Sequence, residues 1–246
     1  MTDEASAPRA APPLRVLLTG FQPFHGDTVN PSELLVRELA ELPPPHPALE
    51  LRAEILPVDR TLVADALAAA IARHRPGFVL SVGQATGRPR VDLESTARNA
   101  LDFKGLRDNG GHEAHGEPWR PGGPAQRRVK LPLGTLAQAL AAQGLPVGVS
   151  RDAGRHLCNA TLYTLLHRHA QLPAFFVHVP LLPAQAHARA QGEPSLPLEV
   201  SRRCLQQLLA LLPALLAERP RAEPEGRPAR RQRARRARHG PLPGGG

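Results

Sequence analysis

Short apolar runs alternate along the chain with longer segments in which apolar residues recur every three or four positions. The short runs are typical of buried strands, and the longer segments are typical of amphipathic helices. Strands are predicted at Arg15–Thr19, Leu51–Pro57, Phe78–Val82, Val91–Glu94, Val129–Leu133, Val147–Ser150 and Phe175–Val179. Helices are predicted at Pro31–Leu42, Thr61–His74, Leu136–Gln143, Asn159–His169 and Leu196–Glu218.

This alternation predicts an α/β fold, a single-domain three-layer α/β/α sandwich with a mostly parallel central sheet. Residues Arg107–Arg127 are rich in Gly, Pro and His, so they are predicted to form a long loop. Pro213 is expected to kink the last helix or to end it early. The apolar face of that helix is predicted to consist of Val200, Cys204, Leu208, Leu211 and Leu215.

The positive charge of the chain is concentrated at one end. Nine arginines and two glutamates give Arg219–Gly246 a charge of +7, which leaves +2 of the total +9 on Met1–Glu218. We therefore expect a disordered leader at 1–13, a folded domain at 14–218 and a disordered Arg-rich tail at 219–246. Such a tail either only keeps the chain soluble or binds nucleic acid through its phosphates, so a nucleic-acid-associated function remains an alternative.

Composition argues against several other classes of protein. The longest apolar runs, such as 208–216, are shorter than the roughly 20 residues that span a bilayer. Residues 1–13 do not have the pattern of a signal peptide, and two cysteines do not make a disulfide scaffold, so we expect a cytoplasmic location and no membrane partner. The chain has neither an HExxH motif nor paired cysteines, so neither a metal nor another cofactor is predicted.

Two aromatic residues follow the first predicted strand. Phe21 and Phe24 lie three positions apart in a loop rich in Gly and Pro, and this loop runs into Asn30. The pair either packs in the core or forms an apolar clamp for a flat ligand. Asn30 stands where the N-cap of the next helix is expected.

A nucleophile, a base and a carboxylate follow in later segments. Cys158 lies at the start of a predicted helix, where the dipole and free N–H groups favour a thiolate, although a structural cysteine is the simpler interpretation. His178 lies inside an apolar strand, either as a hydrogen-bonded core residue or as a general base. Glu94 ends a predicted strand and would by itself be a surface carboxylate. Four further histidines are predicted to be surface or loop residues, namely His156, His167, His169 and His187.

Four segments, in this order, resemble the pyroglutamyl-peptidase I (pyrrolidone-carboxyl peptidase) family of cysteine peptidases. The resemblance extends from about Arg15 to Glu218. Its most specific parts are TGFQPFHGDTVNPS at 19–32, GQATGR at 83–88 with the LE that ends at residue 94, AGRHLCN at 153–159 and FVHVPLLPAQ at 176–185.

The resemblance implies a catalytic triad of Cys158 as nucleophile, His178 as base and acid, and Glu94 as the group that orients the imidazole. It implies the removal of an N-terminal pyroglutamyl residue from peptides, without metal or cofactor. It also implies that Phe21 and Phe24 sandwich the lactam ring. Homo-oligomers, often tetramers, are implied as well.

Two polar substrate-binding residues are also implied: Gln84 lining the same pocket, and Asn30 near it. The chain departs from the family pattern at Lys104, where an Arg is frequent, and at His156, where another aromatic is common. Further departures are Leu181 and Ala184. These differences leave open a protein that binds pyroglutamyl peptides with poor turnover.

Overall fold

The computed structural model describes residues 12–189 and 192–217, so most of the predicted leader and all of the predicted tail at 219–246 lie outside it. The ten strands of these ranges are β1 Leu14–Phe21, β2 Leu49–Leu56, β3 Phe78–Gln84, β4 Val91–Glu94, β5 Thr96–Arg98, β6 Leu101–Asp102, β7 His115–Glu117, β8 Gln126–Arg128, β9 Val147–Ser150 and β10 Ala174–Val179. The six helices are α1 Pro31–Glu41, α2 Val63–His74, α3 Leu133–Ala141, α4 Leu157–Arg168, α5 Pro183–Ala188 and α6 Leu198–Ala217.

Six of the strands form the central sheet, in the order β2-β1-β3-β10-β4-β9. All neighbours are parallel except β10 and β4, which are antiparallel. Strands β4 and β9 therefore run against the other four. The sheet is mostly parallel, which confirms the predicted α/β fold.

The alternation of side chains along β1 explains the three layers. Val16 and Leu18 pack on one face of the sheet, in an apolar cluster with residues of α1, α3 and α6. Leu17 and Phe21 point to the other face and pack with residues of α2 and α4. Each face of the sheet is thus covered by helices, as the near-continuous apolar runs predict.

The predicted strand Val129–Leu133 is wrong. Strand β8 ends at Arg128, and α3 begins at Leu133 with Pro132 as its N-cap. A proline has no N–H to donate to a sheet ladder, so the apolar residues around it pack as the start of a helix. The predicted loop Arg107–Arg127 is also interrupted, because it contains β7 and the start of β8.

Helix α6 continues through Pro213 to Ala217, so the predicted early end is wrong. The proline removes the hydrogen bond to the carbonyl of Leu209, and the packing of the apolar face outweighs that loss. The buried face is shifted from the predicted one and consists of Ser201, Cys204, Leu205, Leu208, Leu209, Leu212 and Leu215. Among the described helices, none has the length and apolar character needed to cross a membrane.

Gly20 allows α1 to pack closely on the end of β1. A Cβ atom at this position would lie 2.6 Å from the carbonyl oxygen of Ser32 and 2.9 Å from a methyl group of Val36. Gly20→Ala is therefore expected to lower the free energy of unfolding by about 1–3 kcal/mol, measured by urea denaturation. The control is Gly134→Ala in α3, where a Cβ would meet nothing within 4 Å. Equal stability of the two variants would contradict this prediction.

Candidate active site

The antiparallel pairing of β10 and β4 brings a histidine and a carboxylate together. His178 pairs with Asp92 and Phe176 pairs with Glu94, so His178 and Glu94 project from the same face of the sheet. Nδ1 of His178 lies 2.8 Å from Oε1 of Glu94. Both side chains are buried, at 5% and 0% exposure, so the interpretation of Glu94 as a surface carboxylate is wrong.

Cys158 is the second residue of α4, and the side chain of the N-cap residue His156 makes no capping hydrogen bond to the N–H groups of this helix start. Its thiol lies beside β3, where a Cβ on Gly83 would come within 2.8 Å of Sγ. Gly83 is the register partner of His178 in β10. The missing side chain of Gly83 thus makes room for the thiol next to the imidazole. Sequence reasoning missed this glycine, although a glycine within a strand often marks a close approach.

The imidazole of His178 lies between the Glu94 carboxylate and the Cys158 thiol. Burial alone lowers its pKa, but hydrogen bonds with the Cys158 thiol and the Glu94 carboxylate outweigh burial and raise the pKa to about 9. The charged imidazolium is therefore the favoured form near neutral pH. Such an imidazole can hold the proton of the thiol and later give it to a substrate that the sulfur has attacked.

The two predicted phenylalanines line a narrow cavity beside the thiol. Phe21 is 3% exposed and packs on Phe176 with ring centroids 6.2 Å apart, while Phe24 is half-buried and stacks on His156 at 5.6 Å. Both the core interpretation and the clamp interpretation are compatible with this placement. The cavity is lined by Phe21, Phe24, Asn30, Val58, Gln84, His156, Leu157 and Cys158.

Asn30 is the N-cap of α1, as predicted. Its Oδ1 accepts a hydrogen bond from the backbone N–H of Ser32 at 3.0 Å, and its Nδ2 donates to the carbonyl of Gln22 at 3.1 Å. The side chain is only 2% exposed. Both ends of the amide are thus engaged within the fold, and Asn30 fixes the loop that carries Phe24.

The amide of Gln84 is oriented by a buried polar network that sequence reasoning missed. Its Nε2 donates to Asp27 at 3.0 Å, and its Oε1 accepts from Nε2 of Gln185 at 3.1 Å. Asp27 also accepts from Gln185 at 3.0 Å and from Arg189 at 2.8 Å. Because the carboxylate of Asp27 is an obligate acceptor, Gln84 must turn its NH₂ group toward it. No local sequence signal connects these distant positions.

His156 lies in the loop before α4, as predicted, but it is half-buried between two aromatic rings. Its ring centroid lies 5.6 Å from that of Phe24 and 4.3 Å from that of Phe103. Its buried Nε2 has no hydrogen-bond partner among the described residues. Burial lowers the pKa of the imidazole to about 4, against a partly opposing effect of Asp108 and with a smaller contribution from His25. The side chain is therefore neutral at pH 7.

One group of residues elsewhere has the composition of a metal site. Side-chain ligand atoms of Asp59, Asp108 and His112 lie within 4.8 Å of one another. Both oxygens of Asp108 already accept backbone hydrogen bonds, from Arg60 at 2.7 Å and from His112 at 2.8 Å. These bonds hold the loop that follows β6, and they account for the burial of Asp108 without a metal.

Comparison with known proteins identifies the family of the chain. The family model for pyroglutamyl peptidase matches residues 14–211. The chain belongs to the pyroglutamyl peptidase family. It is therefore an enzyme, a hydrolase of the thiol protease type.

Individual relatives are similar over most of the chain. The pyrrolidone-carboxylate peptidase of Gloeobacter violaceus is 38% identical over 202 residues, which cover 81% of this chain and 97% of the relative. The crystal structure of pyrrolidone carboxyl peptidase from Fervidobacterium islandicum is 33% identical in sequence, with a TM-score of 0.78. The match covers 82% of this chain and 99% of that one. Pyroglutamyl peptidase I from Bacillus amyloliquefaciens is 32% identical, with a TM-score of 0.72 and coverage of 80% and 95%.

The neutral state of His156 predicts how stability depends on pH. The folded-state pKa of about 4 lies below the unfolded value near 6.5, so the stability that this neutral imidazole provides is lost as the pH falls through that range. His156→Phe removes the titrating group. As the pH falls from 7 to 4, the unmodified protein should lose roughly 2–3 kcal/mol more of its free energy of unfolding than the variant does.

Urea denaturation across this pH range measures the difference. His156→Leu serves as a second variant, since it also removes the titration but lacks an aromatic ring. The two variants should share the same pH trend even if their stabilities at pH 7 differ. A difference from the unmodified protein that does not change with pH would contradict the prediction.

Proposed function

We propose that this enzyme hydrolyses the amide bond that follows an N-terminal pyroglutamyl residue, with Cys158 as nucleophile, His178 as acid and base, and Glu94 as the residue that orients His178. The observation that carries the proposal is the buried pair of His178 and Glu94, 2.8 Å apart, with the Cys158 thiol at a helix start beside the imidazole. The names of the relatives, pyrrolidone-carboxylate peptidases, support the choice of substrate.

In the first half of the proposed reaction, the Cys158 thiolate attacks the pyroglutamyl carbonyl carbon and forms a C–S bond. The carbonyl oxygen becomes an oxyanion, and the free backbone N–H groups at the start of α4 donate hydrogen bonds to it. When the C–N bond breaks, the imidazolium of His178 gives its proton to the leaving amine. The shortened peptide departs, and a thioester remains on the enzyme.

In the second half, water attacks the thioester carbon. His178 is now neutral and takes a proton from the attacking water, and collapse of the tetrahedral intermediate expels the Cys158 thiolate. Pyroglutamate is released, and the thiolate and imidazolium are restored. Glu94 keeps Nδ1 of the ring occupied, so that the other nitrogen faces the sulfur.

The composition of the cavity suits a pyroglutamyl group. The lactam is flat and uncharged, so it can lie against the rings of Phe21 and Phe24 without losing ionic hydration. Gln84 uses one N–H for Asp27, and its second N–H is the group that we assign to the lactam. Asn30 supports the rim of the cavity. An ordinary amino terminus carries an ammonium group, whose desolvation here would be unfavourable.

Other expectations stay predictions. These are the homotetramer, the cytoplasmic location and the domain limits 1–13, 14–218 and 219–246. The basic tail lies outside the described residues, and no observation on the rest of the chain favours a nucleic-acid-associated function.

The proposal predicts thiol-dependent cleavage of a fluorogenic pyroglutamyl amide by the purified full-length protein. Cys158→Ala should reduce turnover to background, because the nucleophile is lost. Cys204→Ser is the matched control. Cys204 is 1% exposed in the core, where burial raises the pKa of its thiol to about 11, so its loss should leave kcat unchanged.

Turnover that persists unchanged in Cys158→Ala would contradict the proposed function. Tight binding of a pyroglutamyl peptide with kcat near background would instead support the alternative of a binder with poor turnover.

The pKa of His178 also predicts the alkaline limb of the pH profile. Above a pH of about 9 the imidazolium loses its proton and no longer protonates the leaving amine, so kcat/KM should fall about tenfold per pH unit. In Glu94→Gln the limb should move to lower pH, since the carboxylate that stabilises the charged ring is gone. If the alkaline limb of the pH profile lies at the same pH in this variant as in the unmodified protein, Glu94 is not the partner of the imidazole.

A further inference from the structure

Arg88 contacts the carboxylate that binds His178. It lies in the loop between β3 and β4, and its Nη2 donates to Oε1 of Glu94 at 3.2 Å. This oxygen is the same one that lies 2.8 Å from Nδ1 of His178. Nη1 of Arg88 donates to Oδ2 of Asp92 at 2.7 Å. The guanidinium is thus shared between two carboxylates of β4.

The burial of Glu94 makes this contact important. Its side chain has no exposed surface, and its second oxygen, Oε2, has no hydrogen-bond partner among the described residues. A buried carboxylate without a compensating charge is strongly destabilised. In the proposed reaction His178 becomes neutral each time it protonates the leaving amine. At that stage, the remaining positive charge in contact with Glu94 among the described residues is that of Arg88.

Arg88 also connects Glu94 to the segment that carries the thiol. Its Nη2 donates to the carbonyl of Asp152 at 2.9 Å. Residues 151–156 link β9 to α4, and α4 begins one residue before Cys158. The planar guanidinium therefore holds Glu94 and the loop that leads to Cys158 in a fixed relative position. A lysine at this position would keep the charge but could not reach three acceptors with one rigid group.

We propose that Arg88 is a positioning residue of the catalytic site, which compensates the buried charge of Glu94, aligns Glu94 with His178 and holds the loop before Cys158. The proposal rests on the proposed function. Arg88 acts through Glu94 and the loop and is not assigned to the substrate.

Arg90 offers a matched control for the charge. It lies two residues along the same loop, and its Nε donates to the other oxygen of Asp92 at 2.9 Å. Its side chain is 50% exposed, compared with 26% for Arg88. Its ion pair is with Asp92, and in the described part of the chain it has no hydrogen bond to Glu94 or to the carbonyl of Asp152.

The test compares Arg88→Met with Arg90→Met in the full-length enzyme, with the fluorogenic pyroglutamyl amide as substrate. Arg88→Met is expected to lower kcat by roughly 10–100-fold, the range found for partners that orient catalytic ligands, while KM changes by less than about threefold. The alkaline limb should move to higher pH, because a positive charge near the imidazolium is removed. Arg90→Met should leave kcat, KM and the limb in place.

Arg88→Lys separates charge from geometry and carries the test if Arg88→Met fails to fold by circular dichroism. It should restore the position of the alkaline limb and recover only part of kcat. The inference is overturned if Arg88→Met has the kinetics of Arg90→Met, if it changes KM alone, or if Arg88→Lys has full kcat. These results are distinct from failure of the proposed function, in which the unmodified protein itself shows no cleavage that depends on Cys158.

Discussion

The buried carboxylate of Glu94 is the constraint on which the site depends. A charged group without solvent contact must be matched by nearby charge and hydrogen bonds, or it is neutralised by a proton. His178 supplies one match at 2.8 Å, and Arg88 supplies another at 3.2 Å on the same oxygen. The carboxylate and the Cys158 thiol in turn raise the pKa of the imidazole, because together they outweigh the effect of burial, and the ring stays charged near neutral pH. The burial of one acid thus determines the charge of the whole site.

The direction of the strands decides how these groups meet. In a parallel sheet, sites lie beyond the carboxyl ends of the strands, and this rule covers Phe21, Gln84 and His178 at the ends of β1, β3 and β10. Strands β4 and β9 run the other way, so Glu94 and Cys158 reach the site differently. Glu94 does so through the antiparallel register with β10, and Cys158 through the loop that follows β9. The single antiparallel pair in an otherwise parallel sheet is therefore the element that assembles the proposed triad.

The cavity beside the thiol combines apolar walls that suit a neutral ligand with polar atoms whose burial is unfavourable. Its walls are mostly apolar, which favours a flat neutral ligand, yet it includes polar atoms that must be controlled. The Gln84 amide is held by Asp27 and Gln185, whereas the imidazole of His156 has a buried nitrogen without a partner in the described structure. Unpaired polar atoms are unfavourable in a core and are tolerated chiefly where a ligand or a reaction uses the space.

The sequence by itself determined the α/β class, the identity of most elements and the residues of the candidate site, because apolar periodicity and ordered motifs are local. It misassigned Val129–Leu133, where Pro132 has no N–H for a sheet ladder, and the end of α6 at Pro213, where packing against the core overrode local preference. Only the tertiary structure decided that Glu94 is buried and that His156 is half-buried with a buried Nε2 atom. It also decided that Gly83 makes room for the thiol and that Arg88 shares the carboxylate. The physical reason is that burial, charge compensation and close approach are properties of contacts between residues far apart in the chain, and no spacing along the sequence encodes them.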